Sequence, residues 1–336
     1  MKSSNIKKQK VLITGVAGLI GSNLADFIIN NTKEYEVYGI DDLTGGYYEN
    51  VNKEVNFTHC NILDSKFNDT FAAIKPDYVF HLAAYAAEGL SPFIRQYNYK
   101  NNLVCTAGVV NQCIKHNVKR LVFTSSLAVY GDNSQPYQED MIPNPMDPYG
   151  VAKYACELDI KIAGQQHGLD WCIIRPHNVY GRKQNIWDRY RNVLGIWMYQ
   201  HLKGEKITIY GDGLQTRAFS NISDVNAPLF RSCHDPKASK QIINLGGIKE
   251  YSINESSDIL ISVMGGGVKE YLQKRHEVKY SYPTFQKSID ILGFNHTIDL
   301  EMGLKDMWEW AKNQDEKPRF SWSSYELDKG IYPYWV

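Results

Sequence analysis

The sequence predicts an α/β fold, a doubly wound parallel sheet followed by a smaller C-terminal α/β region. Three observations predict it. Short apolar runs alternate with stretches whose apolar residues recur at helical spacing, which implies parallel strands covered by helices on both faces. A glycine-rich turn joins the first run to the first such stretch. The length of 336 residues, with 43% hydrophobic content, suffices for one large core with an appendage that needs no staples.

Val11-Leu12-Ile13 reads as a strand ended by Thr14-Gly15, and residues 18–29 carry the apolar spacing of a helix. Val37 to Ile40 and Tyr78 to Leu82 read as strands, Val104 to His116 as a helix, and Leu121-Val122-Phe123 as another strand. Asp147-Pro148 sets a capping side chain before a proline at the first helical position, so a helix runs from about Tyr149 to near His167, where Gly168 ends it. The strand Trp171 to Ile174 follows. After Gly181 the character changes to a polar, aromatic stretch through Trp187-Asp188-Arg189-Tyr190-Arg191, a mixed helix, the short strand Ile207 to Tyr210, and Gly211-Asp212-Gly213. The first domain is therefore placed at 8–181, with strands and helices returning to it from about 215–248. Residues 182–336 form mainly the second region. Gly265-Gly266-Gly267 is too brief for a linker, and the aromatic tail Tyr332 to Val336 carries no functional signal.

Lysine plus arginine equals aspartate plus glutamate at 37 each, so no overall basic field attracts nucleic acid or an anionic membrane surface. Any anion specificity must be local. The six cysteines show no CxxC pair and no zinc spacing, the pattern of reduced, buried thiols, and no metal site is expected. The start, Met1 to Lys10, is basic, but the apolar run after it is too short for a signal peptide core, and no stretch approaches the roughly 18 apolar residues of a membrane span. A cytoplasmic location is expected.

The turn Thr14-Gly15-Val16-Ala17-Gly18-Leu19-Ile20-Gly21 has the spacing GxxGxxG between a strand and a helix. Its first glycines permit a tight turn and close approach of a pyrophosphate at the helix N-terminus, and the last permits close helix packing. Asp41 ends the next strand, 20 residues after Gly21, where an acid accepts the ribose hydroxyls of a dinucleotide. A carboxylate there repels a 2′-phosphate, so NAD is favoured over NADP in a Rossmann-type domain.

Tyr149-Gly150-Val151-Ala152-Lys153 is YxxxK at the start of a predicted helix, with both side chains on one face. An ammonium near a phenol lowers its pKa from about 10 towards working pH, so the tyrosine can take a proton from a hydroxyl as hydride leaves carbon. A surface Tyr/Lys pair has the same spacing, and the context decides. Leu121-Val122-Phe123 empties into Thr124-Ser125-Ser126, and ligands of an open parallel sheet bind beyond the carboxyl ends of its strands, which places Ser126 to hydrogen-bond the reacting oxygen.

Taken together, Gly15/Gly18/Gly21, Asp41, His81-Leu82-Ala83-Ala84, Ser125-Ser126 before Val129-Tyr130-Gly131, Tyr149/Lys153 and Arg175-Pro176-His177-Asn178-Val179-Tyr180-Gly181 resemble the extended short-chain dehydrogenase/reductase family, in its branch of UDP-glucose 4-epimerase and related NAD-dependent sugar-nucleotide epimerases and dehydratases. The resemblance implies catalytic roles for Ser126, Tyr149 and Lys153. It implies cofactor contacts at Gly15, Gly18, Leu19, Ile20, Gly21, Asp41, Asn61, Ile62, Leu82, Ala83, Ala84, Asn102 and His177, with Tyr149 and Lys153 also touching NAD. Asn178, Arg217 and Arg275 fall where relatives bind the substrate diphosphate, beside Ser126 and Tyr149 on the sugar; the segment around Arg275 departs from their usual pattern. Asn61 stands where relatives usually carry an aspartate on the adenine amino group; its amide oxygen still accepts that bond without charge, so a weaker adenine contact is expected.

Dehydratase relatives place Asp-Glu directly after the active-site hydroxyl residue, where this chain has Leu127-Ala128. Decarboxylases keep a glutamate there and 3,5-epimerases a cysteine, and this chain has neither. The resemblance thus implies oxidation at C4, rotation of the keto sugar and hydride return, with a nucleotide-diphosphate sugar, by family default a UDP-hexose, as substrate. A dehydrogenase, reductase or dehydratase of the same family and a non-catalytic NAD-binding protein stay open as alternatives, as do base and sugar. The resemblance also implies a homodimer through helices near Phe93 to His116 and Tyr149 to His167, and the run Trp187 to Arg191 is expected to cover the substrate nucleotide.

Overall fold

The computed structural model describes residues 8–335; the basic start at 1–7 and Val336 of the aromatic tail lie outside the described residues. The first half runs β1 (Gln9–Thr14), α1 (Leu19–Asn31), β2 (Tyr35–Asp41), β3 (Asn56–His59), α2 (Ser65–Ile74), β4 (Tyr78–His81), α3 (Arg95–Tyr99), α4 (Cys105–Lys115), β5 (Arg120–Thr124), α5 (Pro148–His167) and β6 (Trp171–Pro176). The second half runs β7 (Asn178–Tyr180), α6 (Val193–Leu202), β8 (Ile207–Tyr210), β9 (Thr216–Asn221), α7 (Ile222–Arg231), β10 (Gln241–Leu245), β11 (Glu250–Ser252), α8 (Ile253–Met264), β12 (Lys269–Leu272), β13 (Tyr280–Ser281), α9 (Gln286–Leu292) and α10 (Leu300–Ala311).

Seven parallel strands form the central sheet in the order β3-β2-β1-β4-β5-β6-β10. Strand order reverses between β1 and β4, which opens a crevice at their carboxyl ends. Alternate residues serve opposite faces: Val11 and Ile13 pack with Leu24 and Ile28 of α1 and Val225 and Leu229 of α7, whereas Leu12 packs with Phe67 and Phe71 of α2 and Val109 and Cys113 of α4. The stretch returning to this core includes α7 and β10, and α9 joins it through Leu292. A second, smaller body is built from β7, β9, β11 and β13, from the pair β8-β12, and from α6, α8 and α10 around Trp197, Leu260 and Met307.

Helix α5 begins as its sequence predicts, with the Asp147 side chain accepting from Gly150 N and Pro148 at its first position, and it ends at Gly168 in the left-handed region. The helix that apolar spacing places from Val104, and the family resemblance from near Phe93, begins at Arg95. Residues 100–104 form one π turn that joins α3 to α4 without a break. The upstream part, Arg95-Gln96-Tyr97-Asn98-Tyr99-Lys100-Asn101-Asn102, is polar and carries no apolar period to reveal it.

Inside α5, Glu157 is wholly buried. One carboxylate oxygen accepts from Ser125 Oγ at 2.5 Å and Arg175 Nε at 2.9 Å, the other from Arg175 Nη2 at 2.6 Å. The guanidinium also lies 4.6 Å from the Tyr130 ring centroid. Removing one member of such a pair strands the other charge without solvent, at a cost of about 3–5 kcal/mol. Glu157→Ala is expected to lower unfolding free energy in urea by that amount, and Glu157→Gln, which keeps part of the hydrogen bonding, by less. An unchanged unfolding midpoint in both would show that the pair carries no stability.

Candidate active site

One cavity of about 790 Å³ runs along the carboxyl edge of the sheet and on into the smaller body. The turn from β1 into α1 forms one end. Gly15 has φ +76, and a side chain there would lie 2.7 Å from Ala83 N; one on Gly21 would lie 2.2 Å from the Gly15 carbonyl. Gly18 caps α1 without a side chain, so no side chain covers its first turn. Leu19, Ile20, Leu82, Ala83, Ala84 and Ile62 line the same end of the cavity.

Asp41 holds this turn. Its carboxylate accepts from Ala17 N at 2.9 Å and Leu43 N at 2.8 Å, and burial raises its pKa above the usual carboxylate value. About half of its acceptor capacity remains for ribose hydroxyls. Asn61 also lines the cavity, with its amide oxygen accepting from Leu63 N at 2.8 Å and its nitrogen donating to Asp42 at 2.7 Å, so an adenine amino group shares that oxygen with the backbone. Asn102 requires a correction. It does not line the cavity; its amide bonds both backbone groups of Tyr85, at 3.1 and 3.2 Å, and fixes the loop behind the wall. Asn101 lines the cavity instead.

Ser126, Tyr149 and Lys153 converge at the middle of the cavity, delivered by the end of β5 and the first turns of α5. The Lys153 ammonium donates to Thr124 O at 2.8 Å and lies 5.9 Å from the Tyr149 ring centroid; burial lowers its pKa to about 8. In the chain by itself, burial first, then the Glu88 carboxylate, push the Tyr149 phenol above its ordinary value, against a hydrogen bond from Ser126 and the charge of Arg191. Ser91 ties this helix start to the turn before it, with its hydroxyl accepting from Tyr149 N at 3.2 Å and donating to Glu88 O at 2.8 Å.

Asn178 and Arg217 meet because β7 pairs with β9 in parallel, in a register that sets Asn178 opposite Phe219; Asn178 Nδ2 donates to Ala218 O at 3.0 Å. Arg217 donates to Glu277 at 2.9 Å, and Arg275, half-buried over the Tyr210 ring at 4.0 Å, lies 3.6 Å from the same carboxylate. All three line the cavity. Trp187 does not: it packs edge-on against Tyr47 at 5.3 Å, while its neighbours Tyr190 and Arg191 face the cavity. Indole burial in the smaller core outweighs any use as a platform. The aromatic tail lies against the opposite wall, with Trp335 packed on Phe93 and Tyr190, and Tyr332 lining the cavity.

Sequence reasoning missed Glu88. The residue sits on a 3₁₀ turn at 88–93, projects into the cavity, and among the described residues its carboxylate has no hydrogen bond or ion pair. The side chain is exposed to the cavity, and enclosure by the cavity walls, then the Asp147 carboxylate, raise its pKa above the usual carboxylate value. No spacing rule connects it to YxxxK. Among the described residues no group of His, Cys, Asp or Glu is placed to hold a metal ion, and no helix is long and apolar enough to cross a membrane. The six cysteines are free and buried.

A family model described as NAD dependent epimerase/dehydratase matches residues 11–246. The chain is similar to UDP-glucose 4-epimerase of Thermotoga maritima, solved with UDP-glucose (30% identity, TM-score 0.83, covering 90% of this chain and 99% of that one). It is also similar to UDP-N-acetylglucosamine 4-epimerase of Methanobrevibacter ruminantium (30%, 0.83, 90% and 98%). UDP-glucuronic acid 4-epimerase of Bacillus cereus, solved with UDP-glucuronic acid and NAD, gives 28%, 0.83, 90% and 99%.

His177, on the cavity wall, has both ring nitrogens buried without a partner, and His81 shares its nitrogens with Thr14 and Thr106. Burial lowers both from 6.5 to about 3. Between those values the unfolded chain holds more protons than the folded one, so stability is lost as pH falls through that window, at up to about 1.4 kcal/mol per pH unit for each imidazole. Urea midpoints are expected to fall from pH 6.5 towards 4, less steeply in His177→Gln. Equal slopes for the two proteins would contradict a buried neutral His177.

Proposed function

Because the chain belongs to the NAD dependent epimerase/dehydratase family and its cofactor is NAD, we propose that it epimerises a UDP-sugar at C4, through transient oxidation to the 4-keto sugar and return of hydride to the other face. One observation carries the reading. Ser126, Tyr149 and Lys153 lie between a glycine turn fitted for a dinucleotide and an Asn178/Arg217/Arg275 cluster fitted for a diphosphate, all in one cavity. The open half of the Asp41 carboxylate is a polar group that a bound dinucleotide satisfies.

When bound, NAD supplies the hydride acceptor. The chain's own residues do the rest. Tyr149 takes the proton of the sugar 4-hydroxyl and later returns one, with the Lys153 ammonium and the positive charge that NAD would bring offsetting the burial that raises its phenol; Ser126 hydrogen-bonds the same oxygen, and Lys153 braces the tyrosine end of α5 through Thr124. Arg217 and Asn178 hold the diphosphate while the sugar turns, with the planar guanidinium matched to phosphate oxygens. Leu127-Ala128 supply no acid or base beside Ser126 for elimination.

Two helices offer a dimer surface. Val151, Leu158 and Ile162 form one exposed stripe on α5, and Val104 is exposed beside it. A homodimer through this face, in the cytoplasm where six reduced thiols persist, completes the reading. Leu158→Glu with Ile162→Glu is expected to shift the mass in light scattering from dimer to monomer; a dimer surviving the pair would place the interface elsewhere.

Purified protein without added NAD is expected to interconvert C4 epimers in a panel of UDP-sugars with no NADH accumulating. Tyr149→Phe should lower kcat by about 10²–10⁴-fold while leaving UDP-sugar affinity within a few-fold. Stoichiometric NADH release on NAD addition would assign the chain to the dehydrogenases instead.

A further inference from the structure

The sugar end of the cavity has an uneven charge inventory. Three carboxylates face it: Glu88, Asp147 at the start of α5, and Glu277. Two cations answer them, Arg217 and Arg275, and both already lean on Glu277 at 2.9 and 3.6 Å. Asp147 is engaged as the helix cap through Gly150 N at 2.9 Å. Arg191 is paired with Asp188 at 2.8 Å, and Lys153 is held by Thr124 O. Lys183 is paired with Asp26, and of the remaining cations on the cavity wall, Arg95, His276 and Lys329, none forms an ion pair with Glu88 among the described residues.

A bound diphosphate brings negative charge to the two arginines and uses up their compensation. The carboxylate left without a counter-ion is then Glu88. Its turn is held in place: Ser91 accepts from Tyr149 N at the start of α5 and donates to Glu88 O, and a side chain on the next residue, Gly89, would begin 3.6 Å from Arg275 Nη1, so the turn sits between the Tyr149 end of α5 and the arginine cluster on the wall of the same cavity. Asn102 holds the loop before it by both Tyr85 backbone bonds, and the tail backs the turn from behind, with Trp335 lying 3.5 Å from where a side chain on Gly89 would begin.

Resting on the nucleotide-sugar reading above, we infer that Glu88 selects the charge of the sugar: the site takes neutral UDP-hexoses and UDP-N-acetylhexosamines and rejects uronates. A carboxylate accepts hydrogen bonds from sugar hydroxyls or an amide N–H, whereas a second carboxylate brought against it inside the same walled cavity is repelled. Selection comes from a repulsive group as much as from an attractive one.

The test is calorimetric titration of the protein at pH 8 with UDP, UDP-glucose, UDP-N-acetylglucosamine and UDP-glucuronate, repeated on Glu88→Gln, with epimer formation followed in parallel. UDP-glucuronate is expected to bind the natural chain at least about tenfold more weakly than UDP-glucose and no more tightly than UDP. In Glu88→Gln that gap should close by about tenfold while UDP affinity stays the same. Equal binding of glucuronate and glucose by the natural chain, or a gap that Glu88→Gln leaves intact, would overturn the inference. A loss of turnover in Glu88→Gln with an unchanged binding ratio would also overturn it, and would mark Glu88 as an acid or base. Because binding decides the matter, failure of C4 epimerisation would sink the proposed reaction and leave the charge selection standing or falling on its own ratio.

Discussion

Glu157 and Arg175 meet with almost no exposure, and three pieces of the active site hang on that contact. Glu157 belongs to the helix that carries Tyr149 and Lys153, Arg175 to the strand that leads into His177 and Asn178, and Ser125, which donates to the same carboxylate, stands beside Ser126. Burying a charge pair costs desolvation that hydrophobic packing would not. Here the directional bonds hold a helix face against two strand ends in one rotation and one register. Apolar side chains along α5, such as Cys156 and Ile160, press the helix onto the sheet but leave it free to slide; the carboxylate does not.

The cavity has its length because chain segments far apart in sequence close it. Pairing of β7 with β9 sets Asn178 opposite Phe219, two residues past Arg217, and the segment after β12 brings Arg275 and Glu277 to the same strand. The tail adds a further wall: Glu326 accepts from Gln96 N and Tyr97 N at the start of α3, and Tyr325 bonds the Trp335 carbonyl. An acid at a helix N-terminus is a favourable anchor. The dinucleotide end depends on local turns, while the substrate end depends on long-range docking.

That difference explains what could be read in advance. Gly15, Gly18, Gly21 and Asp41 belong to one β-α-β unit, and Ser126, Tyr149 and Lys153 follow from a strand end and a helix start, so spacing alone brought them into view. The strand β3 escaped because its polar residues carry no period, and the upstream half of the α3-α4 helix was in view only through the family resemblance, for the same reason. Glu157 lies four residues beyond Lys153 on the same helix face, a signal that went unused. Glu88, Glu277 and the tail gave no signal at all, because what makes them part of the site is tertiary contact. The indole of Trp187 misled for a related reason: an aromatic residue in a polar run looks like a platform until the core behind it is known.

The π turn at Lys100–Val104 gives the segment between the sheet and its helix a fixed phase. A π turn is an α-helix holding one residue more than its hydrogen bonds count. Deleting one residue there restores a regular helix, yet swings everything on its N-terminal side by about 100°. Asn98 would lose Pro148 O, now 2.9 Å away, and the Tyr85 loop would lose the side chain that grips it. A polar stretch that reads like surface in the sequence is therefore intolerant of any change in length.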